Sequence, residues 1–411
     1  MALPLVSSAL SATFESSDGD LSQSASSAVG AVRLSRAAPA DAARSTRAEI
    51  NLAHVRHNLH ELQAVLRDNA GEHPAPKIWA VLKADGYGHG ARAMGMTLER
   101  AGVDGVCVAL LEEGIELRGA GVRCPILVMG GYYGRFRDGI EALIAHDLTP
   151  VVYDAEQVRA LATTLRYVDD TKRIPVHVKI DTGMGRLGVF NGDLNQLLDA
   201  LRQARQLHLE GLMTHLACAD AETMDVTQEQ LERFEQAEGI VRQCGFEPEL
   251  RHAANSAAML RWPGSHFEVV RPGIAVYGVH PCATRTSFAL RIPKLKPVMR
   301  VSSEVVALRT LPVGARVGYG HRWQATRPSR IATIPMGYAD GMPRALSGNG
   351  DVLLCGRRAP IVGDVSMDLT TVDVTDHPGV SVRDEVVIVG QQKGRLGTDT
   401  ITVEELATRT R

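Results

Sequence analysis

The rhythm of apolar and polar positions changes twice along the chain. From residue 47, RAEINLAHVRHNLHELQAVL opens as a strand-like run. It then places Leu52, Val55, Leu59 and Leu62 at the spacing of a helix with one buried stripe. KIWAVLKADGYGHG is an apolar strand that runs into a glycine-rich turn, and GVDGVCVAL and CPILVMGG are strands that each follow helical text. PVHVKIDTGMGRLG, HLEGLMTHLACAD, ELRHAANSAAML and VVRPGIAVYG continue the series, so that strand and helix alternate about eight times between residues 47 and 285. Such alternation favours a parallel sheet flanked by helices, and eight units in this length favour a closed (β/α)8 TIM-like barrel of the α/β class. Polar and glycine-rich residues fall just after the apolar strands, on the face where barrels build their sites.

After residue 290 the helical text nearly stops. MRVSSEVVALRTL, IATIPMG, DVLLCGRRAPIVG, LTTVDVTD and DEVVIVGQQ are short β-rich runs separated by turns. The expected organisation is therefore a tail over residues 1–45, a barrel over 46–285 and a mostly β domain over 286–411. The tail is rich in Ser and Ala, carries few large hydrophobic residues and has no basic residue before Arg33. It cannot repay the entropy of ordering and reads as disordered, and it lacks the positive start of a secretory signal.

Composition narrows the class. With 45% hydrophobic and 22% charged residues, the chain can bury a large core without metal or disulfide staples. A net charge of −2, from 45 basic against 47 acidic residues, argues against a nucleic-acid surface. The six cysteines (107, 124, 218, 244, 282 and 355) form no CxxC pair and match neither a zinc site nor a disulfide framework. They read as buried small apolar groups, and a cytoplasmic location is expected. No apolar run is long enough for a membrane span.

Lys83 stands at the end of an apolar strand, where poor solvation lowers a lysine pKa and frees the lone pair that Schiff-base chemistry needs. By itself, the stretch reads more simply as a lysine snorkelling from a strand end. In the same way Arg186 reads as a surface charge, His215 as a satisfied core histidine, Ser256 as a helix cap and Tyr319 as a tyrosine packed at a turn.

The stretch AVLKADGYGHG resembles the cofactor-binding motif of alanine racemases, and the resemblance extends over about residues 47–411. It implies pyridoxal 5′-phosphate as cofactor, Lys83 as the Schiff-base lysine and Tyr87 as the aromatic residue near the phosphate. In VKIDTGMGRLG, Arg186 matches the arginine given to the cofactor's phenolic oxygen and to substrate, and Lys179 matches a lysine often carbamylated in the family. His215 in GLMTHLACAD matches the histidine lying against the pyridine ring. Asn255 and Ser256 in HAANSAA match phosphate-site residues, as do Gly273 and Ile274 in VVRPGIAVYG. Arg271 matches the arginine facing the pyridine nitrogen. An aspartate there would keep that nitrogen protonated, whereas an arginine leaves it largely unprotonated and limits side reactions such as transamination.

Racemisation takes the α-proton from one face and returns a proton to the other, so one acid–base group per face is the direct solution. The resemblance assigns these roles to Lys83 and to Tyr319 in VGYGHRW, the latter entering from a partner subunit. A homodimer with composite sites is thereby implied. Tyr338 and Arg344 in GYADGMPRAL match entrance residues, and Met367 and Asp368 match a pair approaching the substrate. No metal is expected.

The match departs from the family in three places. The tail is extra, Asp364 stands where many relatives carry arginine, and the chain ends before a TIPYE-like segment whose tyrosine reaches the phosphate. The expected activity is interconversion of L- and D-alanine, supplying D-alanine for cell-wall precursors. Serine or broader racemisation stays open, because one hydroxyl or methylene is a small discrimination. A non-catalytic pyridoxal-phosphate carrier would lack the β domain, and a decarboxylase of related architecture would place a carboxylate where Arg271 stands.

Overall fold

The computed structural model describes residues 44–131, 136–282 and 292–410. The expected tail lies outside the described residues as far as position 43, and so does the expected boundary at 285/286. The first strand, β1 (Arg47–Ile50), leads into a helix over Leu52–Ala70, whose cap Asn51 accepts the backbone N–H groups of Ala53 and His54. The next eight strands are β2 (Lys77–Val81), β3 (Gly105–Val108), β4 (Ile126–Val128), β5 (Thr149–Val152), β6 (Ile174–Lys179), β7 (Leu207–Met213), β8 (Leu250–His252) and β9 (Val269–Val270). They form one parallel sheet in the order β8-β7-β6-β5-β4-β3-β2-β9. The sheet curls until Arg271 N–H donates to the Ala254 carbonyl at 2.9 Å, which joins its two ends.

Period-two alternation decides which side chains enter the barrel. In β2 and just beyond, Ile78, Ala80 and Leu82 face the surrounding helices, while Trp79 and Val81 pack inward with Cys107, Leu127, Val151, Leu250 and Val269. The same parity carries Lys83 inward at the C-terminal end. In β6, Val176, Val178 and Ile180 face the helices, so His177 and Lys179 point inside. In β9, Val270 faces out and Val269 in, which turns Arg271 inward. The outer layer is the large apolar core between strands and helices, where each fully buried Leu or Val contributes about 1.5–3 kcal/mol.

The second half is built of short strands: β10 (Met299–Glu304), β11 (Ala307–Leu311), β12 (Arg316–Val317), β13 (Trp323–Gln324), β14 (Ser329–Ile334), β15 (Asp351–Leu354), β16 (Arg357–Pro360), β17 (Thr370–Asp373), β18 (Glu385–Gly394) and β19 (Gly397–Ile401). One sheet runs β1-β10-β18-β15-β16 with β19 paired to β18, and a second runs β11-β14-β17. Thus the strand Arg47–Ile50, which sequence order groups with the barrel, pairs antiparallel with β10 in the β-rich half. Arg44 and Thr46 extend that attachment. Arg44 bonds both carboxylate oxygens of Asp340 and the Pro335 carbonyl, and Thr46 bonds Pro335 and Ser303.

A short helix, Val403–Arg409, follows β19 and is tied down by Arg358, which reaches Glu405 and Asp399. All six cysteines are free thiols, and Cys107, Cys282 and Cys355 are buried. Among the described residues no helix is long and apolar enough to cross a membrane.

Candidate active site

Lys83 leads directly into a left-handed turn. Ala84, Asp85, Gly86 and Tyr87 have φ of 53°, 51°, 62° and 55°. Only glycine takes such angles freely, and each of the other three costs about 1–2 kcal/mol. Three bonds offset this strain. Glu113 accepts Ala84 N–H at 2.5 Å, Asp85 accepts Ala91 N–H at 2.7 Å, and Gly86 N–H donates to the Leu82 carbonyl at 2.9 Å. The glycine-rich turn expected from sequence is therefore a clamped left-handed turn. It places Lys83 Nζ 5.9 Å from the centre of the Tyr87 ring, which itself packs on Tyr277 at 4.7 Å.

After β8, Asn255 and Ser256 open the short helix Ser256–Arg261. The helix cap is Asn255, whose side-chain oxygen accepts from Ala257 and Ala258 N–H. Ser256 has another use: its hydroxyl oxygen accepts Gly273 N–H at 2.8 Å and Ala275 N–H at 3.3 Å. Two amides on its lone pairs leave the hydroxyl proton available to an incoming anion. At Gly273 a Cβ would sit 2.5 Å from the Tyr87 hydroxyl, so the glycine keeps that space open. Ile274 follows at the rim, 38% exposed.

The barrel mouth is strongly cationic. Lys179 is 4% exposed, and its pKa falls from 10.5 to about 8 through burial and the cations Arg186, Arg271 and Lys83, with Asp181 opposing. Burial and the same cations, with Lys179, push His215 down to about 3, so its imidazole is neutral at pH 7. Asp181 is already engaged, since one of its oxygens accepts Gly183, Met184 and Gly185 N–H in the loop that carries Arg186. Arg271 is 3% exposed and, among the described residues, forms no ion pair with a carboxylate. It donates to the Thr214 and Ala253 carbonyls and to His252 Nδ1, and burial lowers its pKa to about 10. Four cations gathered around one neutral imidazole make this mouth electrostatically favourable to an anion.

These barrel residues, predicted one by one from sequence, are thus brought together at one rim. A second group sits on the β-rich half. Tyr338 and Ala339 N–H donate to the Ser366 and Met367 carbonyls, and the Arg344 guanidinium lies 5.8 Å from the Tyr338 ring. Gly318, beside Tyr319, backs onto Asp364, and buried Asp364 pairs with Arg322 at 3.6 Å. Tyr319 is 76% exposed and Met367 54%, with Asp368 exposed beside them. Their side chains project from the chain and do not pack into it.

Residues that sequence reasoning passed over include Glu113, His177, Glu210 and His252. His177 stands two positions before Lys179, so strand parity already pointed it inward. No spacing signal marks Glu113, whose role depends on where its helix comes to rest.

Comparison with known proteins matches both halves. Residues 50–281 match the family described as alanine racemase, N-terminal domain, and residues 298–411 the alanine racemase C-terminal domain. An alanine racemase of Sorangium cellulosum is 56% identical over 364 residues, covering 89% of this chain and 93% of that protein. Among solved structures, alanine racemase from Bacillus anthracis with bound L-Ala-P superposes with a TM-score of 0.79 at 31% identity, covering 89% and 90% of the two chains. Alanine racemase from Bartonella henselae with covalently bound pyridoxal phosphate gives 0.76 at 27% identity, covering 89% and 94%.

Proposed function

The chain belongs to the alanine racemase family, and from that premise we propose that it interconverts L- and D-alanine with pyridoxal 5′-phosphate held at the barrel mouth. The observation that carries this reading is the convergence of Lys83, Lys179, Arg186 and Arg271 on neutral His215, with Ser256 and Gly273 at the rim.

The residues fit the cofactor. The Ser256 hydroxyl proton and the open space at Gly273, beside Tyr87 and Ile274, suit a phosphate. Asn255 holds Ser256 in place through its helix cap. Arg186 suits the phenolic oxygen, being permanently charged and forked. Neutral His215 offers a flat face to the ring, and Lys83 Nζ is the amine for covalent attachment. Arg271 suits the ring nitrogen, because a guanidinium donates hydrogen bonds and brings no proton to share. Carbamylation of Lys179 would replace a buried cation beside Arg186 with an anion, which favours holding the arginine in place.

When bound, pyridoxal phosphate supplies an electron-withdrawing ring that makes the substrate's α-proton easier to remove. Lys83 Nζ would take or return the proton on one face. Tyr319 Oη serves the other face. Met367 and Asp368 bound the substrate, and Tyr338 and Arg344 line its entrance.

The exposure of Tyr319 and Met367 in the single chain supports a homodimer in which each subunit lends them to the other's barrel. D-alanine for cell-wall precursors is the expected product use. The test is to load the full chain with pyridoxal phosphate, desalt it, record its absorbance and assay D-alanine formed from L-alanine. Retained cofactor with D-alanine supports the reading. Retained cofactor with turnover of another amino acid only would refute the substrate, and no retained cofactor would refute the site.

A further inference from the structure

Behind Arg271 a chain of buried polar side chains crosses the barrel. Arg271 Nη1 lies 2.6 Å from His252 Nδ1, His252 Nε2 lies 2.7 Å from His177 Nδ1, and His177 Nε2 lies 2.9 Å from the Glu210 carboxylate. Both imidazoles are fully buried, whereas the Glu210 side chain is 29% exposed. The barrel is shaped around them. Trp79 packs against both rings at 5.4 and 6.1 Å, and a Cβ on Gly211 would lie 2.4 Å from His177 Nδ1.

The two ends of the chain fix every hydrogen within it. A guanidinium only donates and an ionised carboxylate only accepts. His252 Nδ1 must therefore be bare, which puts its hydrogen on Nε2. That hydrogen points at His177 Nδ1, which must be bare in turn. The His177 hydrogen is then on Nε2 and donates to Glu210. Neither imidazole can take a second proton without two N–H groups meeting head-on. Burial, which lowers the pKa of both rings, and the His177 bond, which holds Glu210 below the usual carboxylate range, act in the same direction.

We propose that Glu210 is a positioning residue for the reaction: through His177 and His252 it fixes both tautomers and so holds the Arg271 guanidinium in the orientation that meets the cofactor ring nitrogen. This rests on the reading above that Arg271 faces that nitrogen. Without an acceptor at the far end, His177 is free to turn its hydrogen toward His252, and His252 no longer offers Arg271 a dependable lone pair. The guanidinium then loses its lateral anchor and keeps only the Thr214 and Ala253 carbonyls.

The test begins with the wild-type full chain, labelled with 15N in its histidines. Both imidazoles should be neutral, with Nε2 protonated and Nδ1 bare, with or without pyridoxal phosphate. A proton on Nδ1 of either ring overturns the proposal whether or not any variant folds. Glu210→Leu should then show mixed tautomers at His177 and His252, a changed absorbance of the bound cofactor, and kcat reduced about tenfold in both directions with little change in KM. That fall is the low end of what removing an orienting partner of a histidine costs at metal sites. Glu210→Gln keeps an acceptor and should restore the wild-type tautomers and most of kcat. Unchanged imidazoles in Glu210→Leu would overturn the proposal. So would disturbed imidazoles with unchanged kcat and absorbance, or a Glu210→Gln enzyme as slow as Glu210→Leu with wild-type tautomers. Absence of cofactor binding in the wild type would fault the underlying reading instead, and the imidazole measurement stands apart from it.

Discussion

Glu113 accepts the backbone N–H of Ala84 at 2.5 Å, one residue past Lys83, and with its other oxygen takes Ala109 and Leu110 N–H. One carboxylate thus ties the left-handed turn to the end of the neighbouring strand. Glu113→Ala leaves three amides without this acceptor and should cost about 2–3 kcal/mol, the scale of charge-assisted hydrogen bonds. A thermal scan should show the loss, together with weaker retention of pyridoxal phosphate. An unchanged melting temperature would contradict the clamp.

Lys83→Ala should remove the absorbance of covalently held cofactor and abolish racemisation. The side chain is only half-buried at the mouth, so the melting temperature of the cofactor-free chain should change little. Persistence of the band would move the attachment to another amine.

Tyr319→Phe should slow proton exchange chiefly from one enantiomer, because Lys83 still serves the opposite face. The comparison is the rate of deuterium incorporation from solvent, starting from pure L- and pure D-alanine. Small, equal effects in both directions would argue against one base per face. The ring is 76% exposed in the single chain, so folding should be unaffected.

At Gly273 a Cβ would lie 2.5 Å from the Tyr87 hydroxyl. Gly273→Ala should therefore fill the space beside Tyr87. The expected result is a Kd for pyridoxal phosphate raised about tenfold, equivalent to ~1.4 kcal/mol. Tight binding retained in the variant would show that the phosphate lies elsewhere.

Lys179 gives the pH dependence. Its pKa is about 8 in the fold against 10.5 ordinarily, so between these values the unfolded chain binds more protons than the folded one. Stability from this residue must then rise with pH across that window, and the charged form weakens the fold below it. The full effect is of the order of 3 kcal/mol. Lys179→Met should remove the rise, as read by denaturant titrations at pH 7 and pH 10 in bicarbonate-free buffer. A neutral amine near pH 8 is also the form that reacts with carbon dioxide. Intact-mass measurement in bicarbonate should show one added carbon dioxide in the wild type and none in Lys179→Met.

The site residues were named before any fold was known through the resemblance of their motifs to the family, and strand parity agrees with the inward direction of those borne on strands. Lys83 follows the inward-facing Trp79 and Val81, and Arg271 follows Val269, each by steps of two. The alternating text gave the barrel, and the short β-rich runs after residue 290 gave the second half. What parity could not give was the partner of each inward group. That Ser256 takes two amides while Asn255 caps the helix depends on a loop 17 residues further on meeting it.

The sequence by itself therefore determined the elements and the faces they bury, which follow from local periodicity, while the reactive groups were named by the resemblance of their motifs to the family. Only the tertiary structure decided that β1 leaves the barrel to pair with β10, that four residues after Lys83 turn left-handed, and that Glu210 reaches Arg271 through two histidines. These are contacts between segments far apart in the chain. They are settled by which backbone and side-chain hydrogen-bonding groups must be satisfied once the barrel has closed around them.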